Sequence, residues 1–167
     1  MELYILRHGL AAERGSSEYP SDDQRPLTPE GIKKLRRTAR SMQSIGLTFD
    51  LILTSPYVRA RQTADIVATS LGLEGVLEPS ALLEPGGDLQ ALIADLASRG
   101  KSVERILLVG HEPMLSSMIS LLLSGEEDLD ITLKKGGLCK LAIRAISPGR
   151  CATLEWLLAP RHLGAIR

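Results

Sequence analysis

Three short apolar runs constrain the fold of this chain more than any other feature of its sequence. The first, within Glu2–Gly9, ends in Arg7, His8 and Gly9. The second, Asp50–Thr54, gives way to Ser55 and Pro56, and the third, Arg105–Val109, to Gly110, His111, Glu112 and Pro113. Runs of this length rich in Leu and Ile read as buried strands. Between them lie stretches with helical periodicity. Thr28 and Pro29 mark a helix start, Ile32, Leu35, Ala39 and Met42 keep one apolar stripe, and Gly46 closes it. Ser55-Pro56 repeats the cap-then-proline signal ahead of Ala60, Ala64, Val67, Ala68 and Leu71, with Gly72 as the stop. Asp88 caps a helix carrying Leu89, Leu92, Ile93, Leu96 and Ala97, and Pro113 opens one carrying Leu115, Met118, Ile119 and Leu122.

The remaining segments fit the same scheme. Leu10 to Leu27 has no period and contains Gly15, Pro20 and Pro26, so it is a long loop, and long loops inside compact domains are often functional. Gly75 to Pro79 is a weak strand. Gly125 to Asp130 is an acidic turn region, with a solvated turn favoured over a steering surface. Leu138–Ala145 and Ala152–Leu158 form a hairpin through Ser147, Pro148 and Gly149. Alternating strands and helices with a terminal hairpin predict an α/β fold. The expected form is a three-layer α/β/α sandwich whose central sheet is mostly parallel with an antiparallel edge strand. The length, 167 residues, predicts one domain over residues 1–167.

Bulk composition excludes several classes of function. Lysine plus arginine and aspartate plus glutamate each number 20, so the formal charge is zero. That gives no support to nucleic acid or an anionic membrane as partner. Aromatic residues are 3%, which leaves no stacking platform for single strands. The first residues lack the features of a signal peptide and no apolar run is long enough to span a bilayer, so the expected compartment is the cytoplasm. Cys139 and Cys151 have no metal-type spacing and read as two buried, reduced thiols.

The right-handed crossover rule places the carboxyl ends of the three clear strands on one side, where open α/β sheets bind ligands. Arg7 and His8 arrive there from the first strand, Ser55 and Arg59 from the second and His111 from the third. Taken singly, each suits a surface ion pair or a satisfied turn residue; their convergence does not. Two guanidiniums beside two imidazoles disfavour a metal cation and suit a dianion with forked oxygens, for which phosphate is the natural candidate. The chain has no Gly-rich Lys-Ser/Thr loop, no cysteine-phosphatase cradle and no Asp-x-Asp after an apolar strand. A neutral imidazole attacking phosphorus would form a phosphohistidine intermediate, with the guanidiniums neutralising charge and the second imidazole, protonated, bonding the same oxygens.

These residues resemble the signatures of the histidine phosphatase superfamily: Leu6-Arg7-His8-Gly9, Arg25-Pro26-Leu27-Thr28-x-Glu30-Gly31, Ser55-Pro56-x-x-Arg59-Ala60-x-Gln62-Thr63-Ala64 and Val109-Gly110-His111-Glu112-Pro113. The short chain is most similar to the SixA branch, the phosphohistidine phosphatases. The resemblance implies that His8 is the nucleophile, that Arg7 and Arg59 bind phosphate and that His111 completes the pocket. Arg25 either lines the rim or forms a loop ion pair with Asp22 or Asp23. Glu84 lies about where many superfamily members carry the acid that protonates the leaving group; it is either that acid or an exposed loop carboxylate. Neither metal nor cofactor is implied. The expected substrate is a phosphorylated protein domain of phosphotransfer type, dephosphorylated as part of signalling. A small-molecule phosphomonoesterase and an inactive phosphate-binding module are the alternatives.

Overall fold

A computed structural model describes residues 1–15, 17–99 and 103–166. The elements in chain order are β1 (Glu2–Arg7), α1 (Pro29–Ser44), β2 (Leu51–Thr54), α2 (Val58–Leu71), β3 (Leu77–Pro79), α3 (Leu89–Ser98), β4 (Arg105–Gly110), α4 (Met114–Ser124), β5 (Leu138–Ile143), β6 (Ala152–Leu158) and the single turn α5 (Pro160–Leu163). The strands form one sheet in the order β3-β2-β4-β1-β5-β6. β1, β2, β3 and β4 run parallel, and β5 is antiparallel to both β1 and β6. The expected α/β/α sandwich is therefore present. The reversed strand lies one place in from the edge, because the terminal hairpin brings β6 back in the direction of the parallel four.

Side chains alternate across each strand with period two, and each face buries a separate helical layer. Leu3 and Ile5 of β1, with Leu53 and Leu108, pack against Leu92 and Ile93 of α3 and Met118 and Ile119 of α4. Tyr4 and Leu6, with Ile52 and Leu107, pack against Ala39 and Met42 of α1, Ala64 and Val67 of α2 and Leu163 of α5. The central strands are covered on both faces, which is why they read as continuous apolar runs. Among the described residues no helix is long and apolar enough to cross a membrane.

Two helix starts follow the capping signals. Thr28 Oγ1 accepts from the Gly31 N–H, and Asp88 Oδ1 accepts from the Ala91 N–H. The third differs: α2 begins at Val58, and Tyr57 precedes it without a side-chain cap. Ser55, expected as the cap, is fully buried; its Oγ accepts from the Tyr57 N–H at 3.3 Å, ahead of the helix, and also lies beside His111. Both cysteines are free, but only Cys139 is buried; Cys151 is partly exposed just before β6. Burial raises the Cys139 thiol to about 12, so it stays protonated.

Candidate active site

Strand register alone brings the first groups together. Arg7 lies opposite Gly110, and Thr54 opposite Val109. The ladder runs one residue further: the His8 N–H donates to the Gly110 carbonyl at 3.1 Å and the Ser55 N–H to the Val109 carbonyl at 2.9 Å. His8, Ser55 and His111 thus leave the sheet on one level, at the carboxyl edge of three neighbouring strands. The imidazoles of His8 and His111 are 5.0 Å apart between ring centroids. Both are buried, as is Arg59.

Gly9 makes room for this edge beneath α1. A Cβ there would collide with the Leu35 side chain. Its N–H donates to Thr63 Oγ1 at 3.1 Å, and Thr63 in turn donates to the Arg59 carbonyl at 2.7 Å. Gln62 Oε1 accepts from the Leu27 N–H at 2.8 Å. The Gln62-Thr63 pair on α2 therefore ties down both the residue after His8 and the far end of the long loop.

His8 Nδ1 lies 2.7 Å from the Gly9 carbonyl oxygen. A carbonyl only accepts, so Nδ1 carries the proton and Nε2 keeps its lone pair. Burial, with the nearby charges of Arg59, Arg7 and Lys135, lowers the His8 pKa to about 3 against a weaker opposing effect of the Gly9 bond. Burial, then the charges of His8 and Arg59, lowers His111 to about 3 as well. Both imidazoles are neutral at pH 7. The protonated second imidazole expected from sequence requires the charge of a bound anion, since neighbouring guanidiniums repel the proton until their charge is offset. His111 Nε2 is 2.9 Å from Ser55 Oγ, and the Tyr57 ring lies against the imidazole at 5.3 Å.

The guanidiniums are held from outside the signature strands. Arg7 Nη1 donates to the Leu133 carbonyl at 2.9 Å. Arg59 donates through Nη1 to the Asp22 carbonyl at 2.6 Å and through Nη2 to Asp22 Oδ2 at 2.9 Å. The same Asp22 carboxylate pairs with Arg25 at 2.9 Å and Arg14 at 3.1 Å. Burial alone would raise the Asp22 pKa, but the bond and charge of Arg59 and the charge of Arg25 outweigh it and hold the group at about 2. Arg25 also donates to the Ala12 carbonyl, so it is both a loop ion pair and a cleft residue.

These side chains line a cleft of about 370 Å³. Arg7, His8, Arg25, Arg59 and His111 are all on its wall, with Glu13, Arg14, Glu112 and Lys135. Glu84 is not on that wall; its neighbour Pro85 is. Leu83 is buried in the core, and the turn closes through the Glu84 N–H to the Ala81 carbonyl and the Gly87 N–H to the Glu84 carbonyl. The carboxylates on the wall are instead Glu13 and Glu112, and Glu112 Oε1 also accepts from the Ser116 N–H at the start of α4. Among the described residues, three buried side-chain nitrogen or oxygen atoms lack a hydrogen-bond partner: Arg7 Nε, Arg59 Nε and His111 Nδ1. All three belong to residues of this one cleft. Buried polar groups are nearly always paired, so three unpartnered nitrogens in one cluster are unusual. Among the described residues no group of three or more His, Cys, Asp or Glu is placed to hold a metal ion.

Asp22, Leu133, Lys135 and Glu112 did not enter the sequence reading as site residues. Asp22 carried a usable signal, since it stands three residues before Arg25 in the long loop. Leu133 carried none, because it acts through its main-chain carbonyl.

With this geometry in place, comparison with known proteins is specific. A family model described as the histidine phosphatase superfamily (branch 1) matches residues 3–84. The chain is 39% identical over 143 residues to an uncharacterized protein of a Picosynechococcus strain, covering 84% of each. It is 29% identical to the phosphohistidine phosphatase SixA of Escherichia coli K12, over 98% of this chain and 96% of that one. A solved structure of the protein histidine phosphatase SixA complexed with tungstate superposes with a TM-score of 0.85 at 27% identity, covering 98% and 99% of the two chains.

Proposed function

The chain belongs to the histidine phosphatase superfamily, on its SixA-type branch, and from that premise we propose that it removes phosphate from a histidine-phosphorylated protein through a covalent intermediate on His8. The observation that carries the proposal is the set of unpartnered nitrogens on Arg7, Arg59 and His111 beside a His8 whose Nε2 lone pair is free. Tungstate, named in the related SixA structure, is a tetrahedral oxyanion like phosphate.

In the first step His8 Nε2 attacks phosphorus, and the bond from phosphorus to the substrate imidazole nitrogen breaks. The ring departs as neutral imidazole: its other nitrogen, protonated from water before the bond breaks, keeps the proton, and the nitrogen that held phosphorus keeps the bonding pair. Arg7 and Arg59 neutralise charge on the equatorial oxygens, and His111 Nδ1 takes up a proton as the dianion enters and donates it in a hydrogen bond. In the second step water attacks phosphorus, the bond to His8 breaks and inorganic phosphate leaves. A protonated imidazole needs no strong acid to depart, which agrees with a wall that lacks Glu84.

The test is hydrolysis of a histidine-phosphorylated phosphotransfer domain beside a panel of phosphate monoesters, with label trapping by the wild type and His8→Ala proteins. The expected result is faster turnover of the phosphoprotein and acid-labile label only on the wild type. Turnover confined to monoesters, or label on His8→Ala, would overturn the proposal. One observation favours a second reading, a small-molecule phosphomonoesterase: Glu13 and Glu112 line the cleft, and a carboxyl there could protonate an alkoxide leaving group.

A further inference from the structure

The charge on this protein is unevenly placed although its total is zero. Helix α1 carries Lys33, Lys34, Arg36, Arg37 and Arg40 against the single acid Glu30. The apolar stripe of α1 is buried against the sheet, so these charged residues are left exposed. At the end of this basic face lies a second cavity, of about 350 Å³, between α1, α5 and the segment after Leu133. Lys34, Arg37, Lys135 and Arg161 line it with Leu10, Pro160 and Gly164, and no acidic side chain of the described residues does.

This groove neighbours the catalytic cleft through one shared wall residue. Lys135 lines both cavities. Little of the charge is cancelled locally. Lys34 pairs with Glu30 at 2.6 Å, but both groups are more than half exposed, and such pairs contribute little. Arg37 donates to the Gly164 carbonyl and Arg161 to His162 Nε2, neither of which neutralises a cation. A run of cations on one helix is ordinarily a solvated face. Here it borders an open groove without acids, and that groove shares a wall residue with the phosphate site.

We propose that the groove lined by Lys34, Arg37 and Arg161 docks an acidic face of the protein substrate, beside the phosphohistidine that enters the cleft. The proposal rests on the phosphoprotein reading above. Complementary rim charges act mainly on encounter rate and on salt dependence. Lys135 spans the two sites and links docking to chemistry; the groove residues proper stand outside the cleft, so their charges are dispensable for a small substrate.

The experiment compares wild type with Lys34→Glu/Arg161→Glu on two substrates: a histidine-phosphorylated phosphotransfer domain with acidic residues around its phosphohistidine, and phosphoramidate. Both altered residues are exposed and neither lines the catalytic cleft. The double variant is expected to lose about 10-fold or more in kcat/KM on the phosphoprotein at low salt, mostly through KM, and less than about twofold on phosphoramidate. Its phosphoprotein rate should also depend less on salt than that of the wild type. The milder Lys34→Ala/Arg161→Ala should fall between the two. Equal phosphoprotein rates in all three proteins would overturn the docking proposal and leave the phosphatase reading intact. Equal losses on both substrates would also overturn it, by placing the effect in the cleft. Binding of anionic vesicles or nucleic acid lost in the variant, with unchanged phosphoprotein rates, would assign the groove to another partner. A wild type inactive on phosphohistidine proteins but active on phosphoramidate would overturn the substrate reading, and docking with it.

Discussion

Two buried imidazoles held neutral make the folded state sensitive to mild acid. His8 and His111 have folded pKa values of about 3, against an ordinary value of 6.5 in the unfolded chain. Between those values the unfolded chain binds more protons than the folded one, so stability falls as the pH falls. The contribution is fully present above 6.5 and is lost progressively below it. Integrated from about pH 7.5 to about pH 5, each histidine costs about 2 kcal/mol, or about 4 kcal/mol for the pair. Asp22 does not obscure this window, because its folded value of about 2 lies below the ordinary 3.8 and its contribution is lost only below that range. The perturbation is His8→Asn, read by urea unfolding at the two pH values. The offset in stability from the substitution cancels when each protein is compared with itself. The variant should lose about 2 kcal/mol across the interval, about half the loss assigned to the pair in the wild type. An identical pH dependence in the two proteins would refute the neutral, buried state of His8, and with it the lone pair assigned to Nε2.

Three further substitutions address the loop and the proton. Asp22→Ala removes the carboxylate from the nearly inaccessible Arg59 side chain while keeping the main-chain carbonyl that binds Nη1; it should cost about 2 kcal/mol in urea unfolding, and tungstate should stabilise the variant more than the wild type by replacing the lost negative charge. Equal stability would mean that Asp22 does not hold Arg59 in place. Glu84→Gln should change hydrolysis of phosphohistidine and of alkyl phosphates by less than about twofold, whereas Glu112→Gln, which keeps the acceptor for the Ser116 N–H, should slow alkyl phosphates about 100-fold if the cleft supplies an acid. Rates on a phosphoprotein and on an alkyl phosphate check both, and a large loss in Glu84→Gln would return that carboxylate to the mechanism.

Much of the layered fold was readable because it depends on local chemistry. Doubly buried strands have to be apolar, Thr28 and Asp88 are local caps, and parallel strands with helical crossovers share one carboxyl edge. The helix cap expected at Ser55 failed because a local signal competed with a distant partner: its Oγ accepts from the Tyr57 N–H at 3.3 Å, ahead of the helix, and lies 2.9 Å from His111, a residue 56 positions away. Glu84 had two readings, and the cleft wall carries its neighbour Pro85 in its place. Arg25 had two readings, and the structure realises both.

The sequence by itself determined which groups reach the edge of the sheet: Arg7 and His8 from one strand, Arg59 one turn into the helix after another, His111 from a third. That follows from strand periodicity and crossover handedness, which are properties of short segments. Only the tertiary structure decided how those groups are held and in what state they wait. The Asp22 carboxylate gathers three arginines, the Leu133 carbonyl fixes Arg7, Glu112 and Lys135 join the wall, and burial strips the protons from both imidazoles. A main-chain carbonyl 126 residues away and the removal of water belong to no motif, because both arise when distant segments pack.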